Sequence, residues 1–212
     1  MKPFSEACVR NREPILEALR EIFAGVGEVL EIGSGTGQHA AYFSAHLPHL
    51  CWQPSDLPHN LPGIQAWLDE ASLPNVRPPL ALDLFDEPWP VARIEAVFCA
   101  NTIHIVSWAG VERLFAGAGR VLAPGGILCL YGPFNYGGRY TSASNAHFDT
   151  WLKARDPASG IRDFEAVDAL AQAQGLRLVE DRAMPANNRI IWWTRTSRLA
   201  PEQPQERAPA RA

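Results

Sequence analysis

Short apolar runs alternate with helix-like segments at least five times along the chain, which restricts the fold more than any other feature of the sequence. "EPILEALREIFAG" places Ile15, Leu19, Ile22 and Phe23 on one helical face, with Pro14 near the first turn and Gly25 past the end. "EVLEI" reads as a buried strand, "GQHAAYFSAHL" as a helix, "HLCWQPSD" as a second strand and "LPGIQAWLDEA" as a helix. "VRPPLALDL", "EAVFCAN" and "GILCLYGPF" supply three more strands. The last two are separated by the helix "WAGVERLFAGAGRVL", closed by the turn "APGG". "DFEAVDALAQAQG" is a further helix, with Asp163 as its N-cap and Gly175 at its end. Two final strands, "LRLVEDRAM" and "RIIWWTRT", have no helix between them and read as a hairpin. Strand–helix alternation predicts a mostly parallel sheet covered on both faces.

Length and composition suit one packed domain. The 212 residues are 47% hydrophobic and 20% charged, enough apolar material for a core. We assign residues 1–198 to a single domain, with 1–27 as an N-terminal arm and helix able to act as a lid. Residues 199–212, rich in Pro, Ala and charge, are expected to be a disordered tail. The net charge of −4 and scattered Lys and Arg argue against a nucleic-acid partner. No run of eighteen apolar residues predicts a membrane span, and the polar start does not read as a signal peptide. Cys8, Cys51, Cys99 and Cys129 have neither metal-knuckle nor redox-pair spacing; they read as reduced core thiols of a cytoplasmic protein, and no metal is expected.

The chemistry concentrates in "VLEIGSGTGQHAAYF". A glycine-rich turn after the first strand of an open α/β sheet lets backbone approach a ligand at the carboxyl edge. The dinucleotide fingerprint G-x-G-x-x-G fails at Gln38, and no Gly-Lys-Ser/Thr follows to make a phosphate loop. What stands is E-x-G-x-G-x-G, from Glu31 to Gly37, which resembles motif I of Rossmann-like methyltransferases that use S-adenosyl-L-methionine. Asp56 ends the second strand, nineteen residues after Gly37, where a carboxylate can accept hydrogen bonds from two ribose hydroxyls. Asp83 follows the third strand, where the same pattern places an acid beside the adenine amino group.

The segments "ACVRNREPIL", "WQPSD", "FCANTIHIVSW", "LYGPFNYGG", "SNAHFD", "GIRDFEAV" and "MPANN" extend the likeness. Between Ser5 and Arg195 the chain resembles the domain of unknown function 938 family (methyltransferase-like protein 26 type). The resemblance implies a Rossmann-like class I methyltransferase fold, a mostly parallel seven-stranded sheet with a C-terminal antiparallel hairpin. It implies S-adenosyl-L-methionine as cofactor and names no substrate. Cofactor contacts are expected from Arg10, Asn11, Glu31, Gly33, Ser34, Gly35, Thr36, Gly37, His39, Asp56, Leu57, Asp83, Leu84 and Asn101. Arg10 suits the methionine carboxylate. The acceptor pocket is expected from His104, Trp108, Tyr131, Phe134, Asn135, Asn145, Arg162 and Asn187, with His104 and Tyr131 as candidate catalytic groups. A structural ion pair of Arg162 with Asp149 or Asp163 is the alternative for that arginine, and turn geometry the alternative for the asparagines. Ala158-Ser159 stands where an aromatic is expected before Gly-Ile-Arg-Asp, which implies a roomier pocket.

A short, acidic chain without an added recognition domain points to a small-molecule acceptor and a monomer or homodimer. A domain that binds the cofactor or its demethylated product without catalysis, as a sensor or partner subunit, is the other reading.

Overall fold

A computed structural model describes residues 2–196; the expectation for 199–212 lies outside the described residues. Five strands run parallel: β1 (Glu28–Ile32), β2 (Cys51–Asp56), β3 (Leu80–Ala81), β4 (Ile94–Ala100) and β5 (Leu122–Gly132). The two-residue strands β6 (Phe134–Asn135) and β7 (Arg162–Asp163) form a small parallel pair of their own. The hairpin β8 (Leu176–Met184) and β9 (Asn188–Arg195) joins the main sheet with β9 antiparallel to β5. The seven-stranded order is β3-β2-β1-β4-β5-β9-β8. Strand order reverses between β1 and β4, and in open α/β sheets the carboxyl edge at such a switch point is where ligands bind.

Helices cover both faces, because every central strand is apolar on both sides. α1 (Glu6–Ile22), α2 (Gln38–His46) and α3 (Leu61–Ala71) pack on one face, where Ile15, Leu19, Phe43 and Ile64 meet Val29, Trp52 and Phe98. α4 (Trp108–Val121) and α6 (Phe164–Ala173) cover the other, where Leu114, Phe115 and Val167 meet Leu30, Val97 and Leu128. The apolar face expected of the first helix is buried as read.

Local details differ from the sequence reading. α1 begins at Glu6, so Pro14 lies inside it, where it forfeits one intrahelical bond. Buried Ile15, Leu16 and Leu19 hold the helix together across that defect. β3 is shorter than expected, because Pro78 and Pro79 have no N–H for an edge ladder. "APGG" lies within β5, where the pairing with β4 is irregular. The polar stretch around "SNAHFD" is a full helix, α5 (Ala143–Arg155), capped by Ser142, whose hydroxyl accepts from the Asn145 N–H. Asp163 occupies the N-cap of α6 without capping it.

Candidate functional site

The turn after β1 requires its three glycines for different reasons. Gly33, Gly35 and Gly37 all have positive φ. A Cβ on Gly33 would lie 2.5 Å from the Thr102 hydroxyl, and one on Gly37 would lie 2.7 Å from the Ile64 Cα. These two glycines allow the β4–α4 loop and α3 to close on the turn. At Gly35 a Cβ would meet nothing within 4 Å, and the residue is exposed. Its bare backbone is therefore open to solvent.

A buried network under the turn holds it still. Glu31 accepts from Ser34 Oγ at 2.9 Å and Trp52 Nε1 at 3.0 Å. Ser34 Oγ accepts from the Ser55 N–H, and the Ser55 carbonyl accepts from the N–H groups of Gly33 and Ser34. Burial pushes the Glu31 carboxyl up to about 7, with the Asp56 charge adding to the rise; the bonds from Trp52 and Ser34 oppose it. Glu31 thus braces the turn from inside the protein.

Asp56 stands across the turn at the end of β2. One carboxylate oxygen accepts from the Gly35 N–H at 2.7 Å; the other accepts from the Leu57 N–H at 2.7 Å and Asn60 Nδ2 at 2.8 Å. A carboxylate has further lone pairs on each oxygen, enough for a diol. Leu57 is exposed beside it. Asp83 accepts from the Phe85 N–H, and Leu84 is buried in the core. Phe85, missed in the sequence, is 57% exposed two residues beyond Asp83. An exposed aromatic next to the third-strand acid was the available signal.

The N-terminal arm packs against α3 and the first residue of α2. Pro3 sits against Gly63, its carbonyl accepts from Trp67 Nε1, and Phe4 stacks on Trp67. The Ser5 N–H donates to Gln38 Oε1, and Gln38 also bonds the Thr36 hydroxyl. Asn11 Oδ1 lies 2.8 Å from His39 Nε2. Burial pulls His39 down to about 4, so it is neutral. Tyr131 lies beside Asn11 and Asn188, and burial raises its phenol to about 12. The phenol therefore keeps its proton at neutral pH. Arg10 is exposed on α1, while Arg12 lies over the Tyr42 ring.

The acceptor-side residues divide into two groups. Asn101, at φ 58° after β4, donates its N–H to the Tyr131 carbonyl. His104 is 3% exposed, and its Nδ1 is buried without a partner. Burial, with repulsion from Arg162, lowers its pKa to about 4. Phe148 of α5 meets the His104 ring edge-to-face at 5.4 Å. These groups share the carboxyl edge of β4 and β5.

The others are more structural. Arg162 donates to the carbonyls of Ile103, Val106 and Ala158. The expected ion pair does not form: Asp149 instead bonds Lys153, Tyr140 and the Ile161 N–H, and Asp163 Oδ1 has no partner. Three carbonyls, two from the β4–α4 loop and one from the α5–β7 loop, satisfy the guanidinium. Ser159 bonds the Ile105 carbonyl, so the segment with Ala158 fastens the His104 loop. Trp108 donates to Glu112, Phe134 is fully buried, and Asn135 reaches toward the Ile161 carbonyl at 3.5 Å. Asn145 bonds Thr141 and the Asn187 carbonyl; Asn187, at φ 58°, supplies the expected turn geometry. Grooves of about 480 Å³ by Gln65, Asp69 and Arg77 and about 430 Å³ by Arg93, Glu95 and Pro124 open at the amino edge of the sheet. Neither groove is lined by the glycine turn or the His104 loop. Among the described residues, no group of three or more His, Cys, Asp or Glu is placed to hold a metal ion, and no helix is long and apolar enough to cross a membrane.

Strand order, terminal hairpin and glycine turn together define a Rossmann-like fold of the class I methyltransferase type. An O-methyltransferase family protein from Burkholderia thailandensis superposes with a TM-score of 0.78 at 20% identity, over 91% of this chain and 58% of that one. The mitomycin 7-O-methyltransferase gives 0.79 at 18%, over 90% and 54%. Human N-acetylserotonin methyltransferase in complex with S-adenosylmethionine gives 0.75 at 16%, over 91% and 53%. The chain spans a little over half the length of these proteins. The particular family is set by sequence: the chain belongs to the family described as protein of unknown function (DUF938), whose model matches residues 2–195.

Proposed function

We propose that the protein is an S-adenosyl-L-methionine-dependent methyltransferase acting on a small-molecule acceptor. The observation that carries the reading is the pairing of Gly35 with Asp56. Bare backbone is open at the one glycine of the turn where a side chain would meet nothing, and its N–H is held by the carboxylate that ends β2. That arrangement suits a nucleoside whose ribose hydroxyls bond Asp56 and whose chain lies along the turn. Asp83 and Phe85 suit the adenine, by hydrogen bonding and by stacking. The residues fit the cofactor, which when bound supplies a methyl group on an electrophilic sulfonium. Asn11 and His39 tie α1 to α2 beside the same turn, and Asn101 with His104 forms the acceptor side. Phosphate would find no lysine at the turn, in keeping with a cofactor that lacks it.

The protein's own contribution is alignment. An in-line displacement needs the acceptor atom roughly 3 Å from the methyl carbon and opposite the leaving sulfur, in a dry site. α5 and the Arg162 clamp keep the His104 loop in place for that. Calorimetry with S-adenosylhomocysteine tests the reading: binding near the micromolar range, on the order of −8 kcal/mol, is expected. Tight NADH binding without S-adenosylhomocysteine binding would refute it. Tritium transfer from methyl-labelled cofactor to a mixed acceptor library separates an enzyme from a non-catalytic sensor or partner subunit. The domain is expected to work as a cytoplasmic monomer or homodimer.

A further inference from the structure

The residues ahead of α1 are fastened to α3 by side chains. The Pro3 carbonyl accepts from Trp67 Nε1 at 2.7 Å, Phe4 stacks on the Trp67 ring at 6.5 Å, and Lys2 Nζ lies 3.5 Å from the centre of a Trp67 ring. Lys2 also pairs with Glu70. Gly63, inside α3, makes room for these contacts: a Cβ there would lie 2.6 Å from Pro3 Cγ. Glycine weakens a helix relative to alanine, and here it admits the arm. At the other end of the segment the Ser5 N–H donates to Gln38 Oε1 at 2.6 Å, and the same oxygen accepts from the Thr36 hydroxyl in the glycine turn.

α3 in turn sets two parts of the candidate site. Asn60, at its N-cap, donates to the Asp56 carboxylate at 2.8 Å. Ile64 packs against Gly37 so closely that a Cβ on that glycine would come within 2.7 Å of its Cα. The arm therefore reaches the site by two routes, through α3 to Asp56 and Gly37, and through Gln38 to Thr36. Its own hold is slight. Phe4 is 58% exposed, and the Lys2–Glu70 pair is open to solvent on the glutamate side, where such a pair contributes little. A segment with so few buried contacts opens locally at low cost.

We propose that Lys2–Ser5 form a strap that positions Asp56 and the glycine turn for the cofactor, acting through α3 and Gln38, and that cofactor binding tightens the strap in return. This rests on the methyltransferase reading above. The strap needs no contact with the cofactor, because its effect passes through Asn60, Ile64 and Gln38. The two directions are one coupling free energy, so they have equal size.

The test uses the full-length protein with S-adenosylhomocysteine as probe. Nuclear magnetic resonance follows hydrogen exchange of the Ser5 amide, whose bond to Gln38 marks the closed strap, with and without the ligand. Calorimetry compares the wild type with a variant lacking Lys2–Phe4 and with Gly63→Ala, whose Cβ evicts Pro3 while favouring the helix. The expected result is an affinity lowered on the order of tenfold in both variants, and Ser5 exchange slowed by the same factor when the wild type is saturated. A Ser5 amide indifferent to the ligand overturns the proposal, as does a loss of stability in the variants with no loss of affinity. The wild-type exchange decides the matter even where a variant does not fold. Failure of the wild type to bind S-adenosylhomocysteine removes the methyltransferase reading itself; binding that leaves Ser5 exchange unchanged removes only the strap.

Discussion

Glu31→Gln should make the protein more stable at alkaline pH, although it deletes a carboxylate from the centre of the site. Glu31 is 2% exposed, and its carboxyl is raised from an ordinary value of 4.5 to about 7, mainly by burial. The folded protein therefore holds a proton there that the unfolded chain has released over the interval from 4.5 to about 7. Stability from this group is fully present below the lower value and is lost as pH rises through the upper one. At about 1.4 kcal/mol per pH unit, the loss on complete ionisation is ~3 kcal/mol. Glutamine resembles the protonated acid and still offers one oxygen to Ser34 Oγ and Trp52 Nε1, which both donate to the same Glu31 oxygen. Urea unfolding of both proteins should thus give nearly equal stabilities near pH ~4.5 and an advantage of ~3 kcal/mol for Glu31→Gln above pH ~8. A difference that is constant with pH, or a wild type more stable at high pH, would show that Glu31 is ionised in the fold and that the reasoning from burial is wrong.

Asp56→Ala should weaken S-adenosylhomocysteine binding by about 1.5–3 kcal/mol, roughly 10–150-fold, in calorimetry; unchanged affinity would remove Asp56 from the ribose site. Gly37→Ala, which drives a Cβ to 2.7 Å from the Ile64 backbone, should cost roughly 2–4 kcal/mol of stability. Gly35→Ala, with nothing within 4 Å, should cost about 1 kcal/mol, and equal losses in urea unfolding would contradict the division between packing and ligand-facing glycines. His39 and His104 are each lowered from 6.5 to about 4. Stability they contribute is present above 6.5 and lost as pH falls to about 4, so the double variant His39→Gln/His104→Gln should flatten the acid limb by up to ~6 kcal/mol, about 3 for each ring. An unaltered limb would mean the rings are not buried neutral. Arg162→Ala should cost roughly 2–4 kcal/mol by leaving the Ile103, Val106 and Ala158 carbonyls without their shared donor; a stability change near zero in urea unfolding would refute the clamp.

Hydrophobic periodicity by itself determined the alternating strands and helices, because a strand buried on both faces must be a continuous apolar run. It also determined the terminal hairpin, since no helix-length segment separates β8 from β9. The glycine turn was legible for a chemical reason, since positive φ favours glycine, and Asp56 stood out beside it because the strand pattern puts its carboxylate at the end of β2. α5 was hidden, because its buried face includes Asn145 and Asp149, polar residues whose partners lie 4 to 42 residues away, several of them outside the helix. The same holds for Arg162, whose carbonyl partners lie 4 to 59 residues away and carry no side-chain signature. Only the tertiary structure decided that Gly33 and Gly37 serve packing while Gly35 stands open. It alone left His104 Nδ1 buried and unpaired beside Gly132, since burial and orphaned polar atoms are properties of neighbours in space.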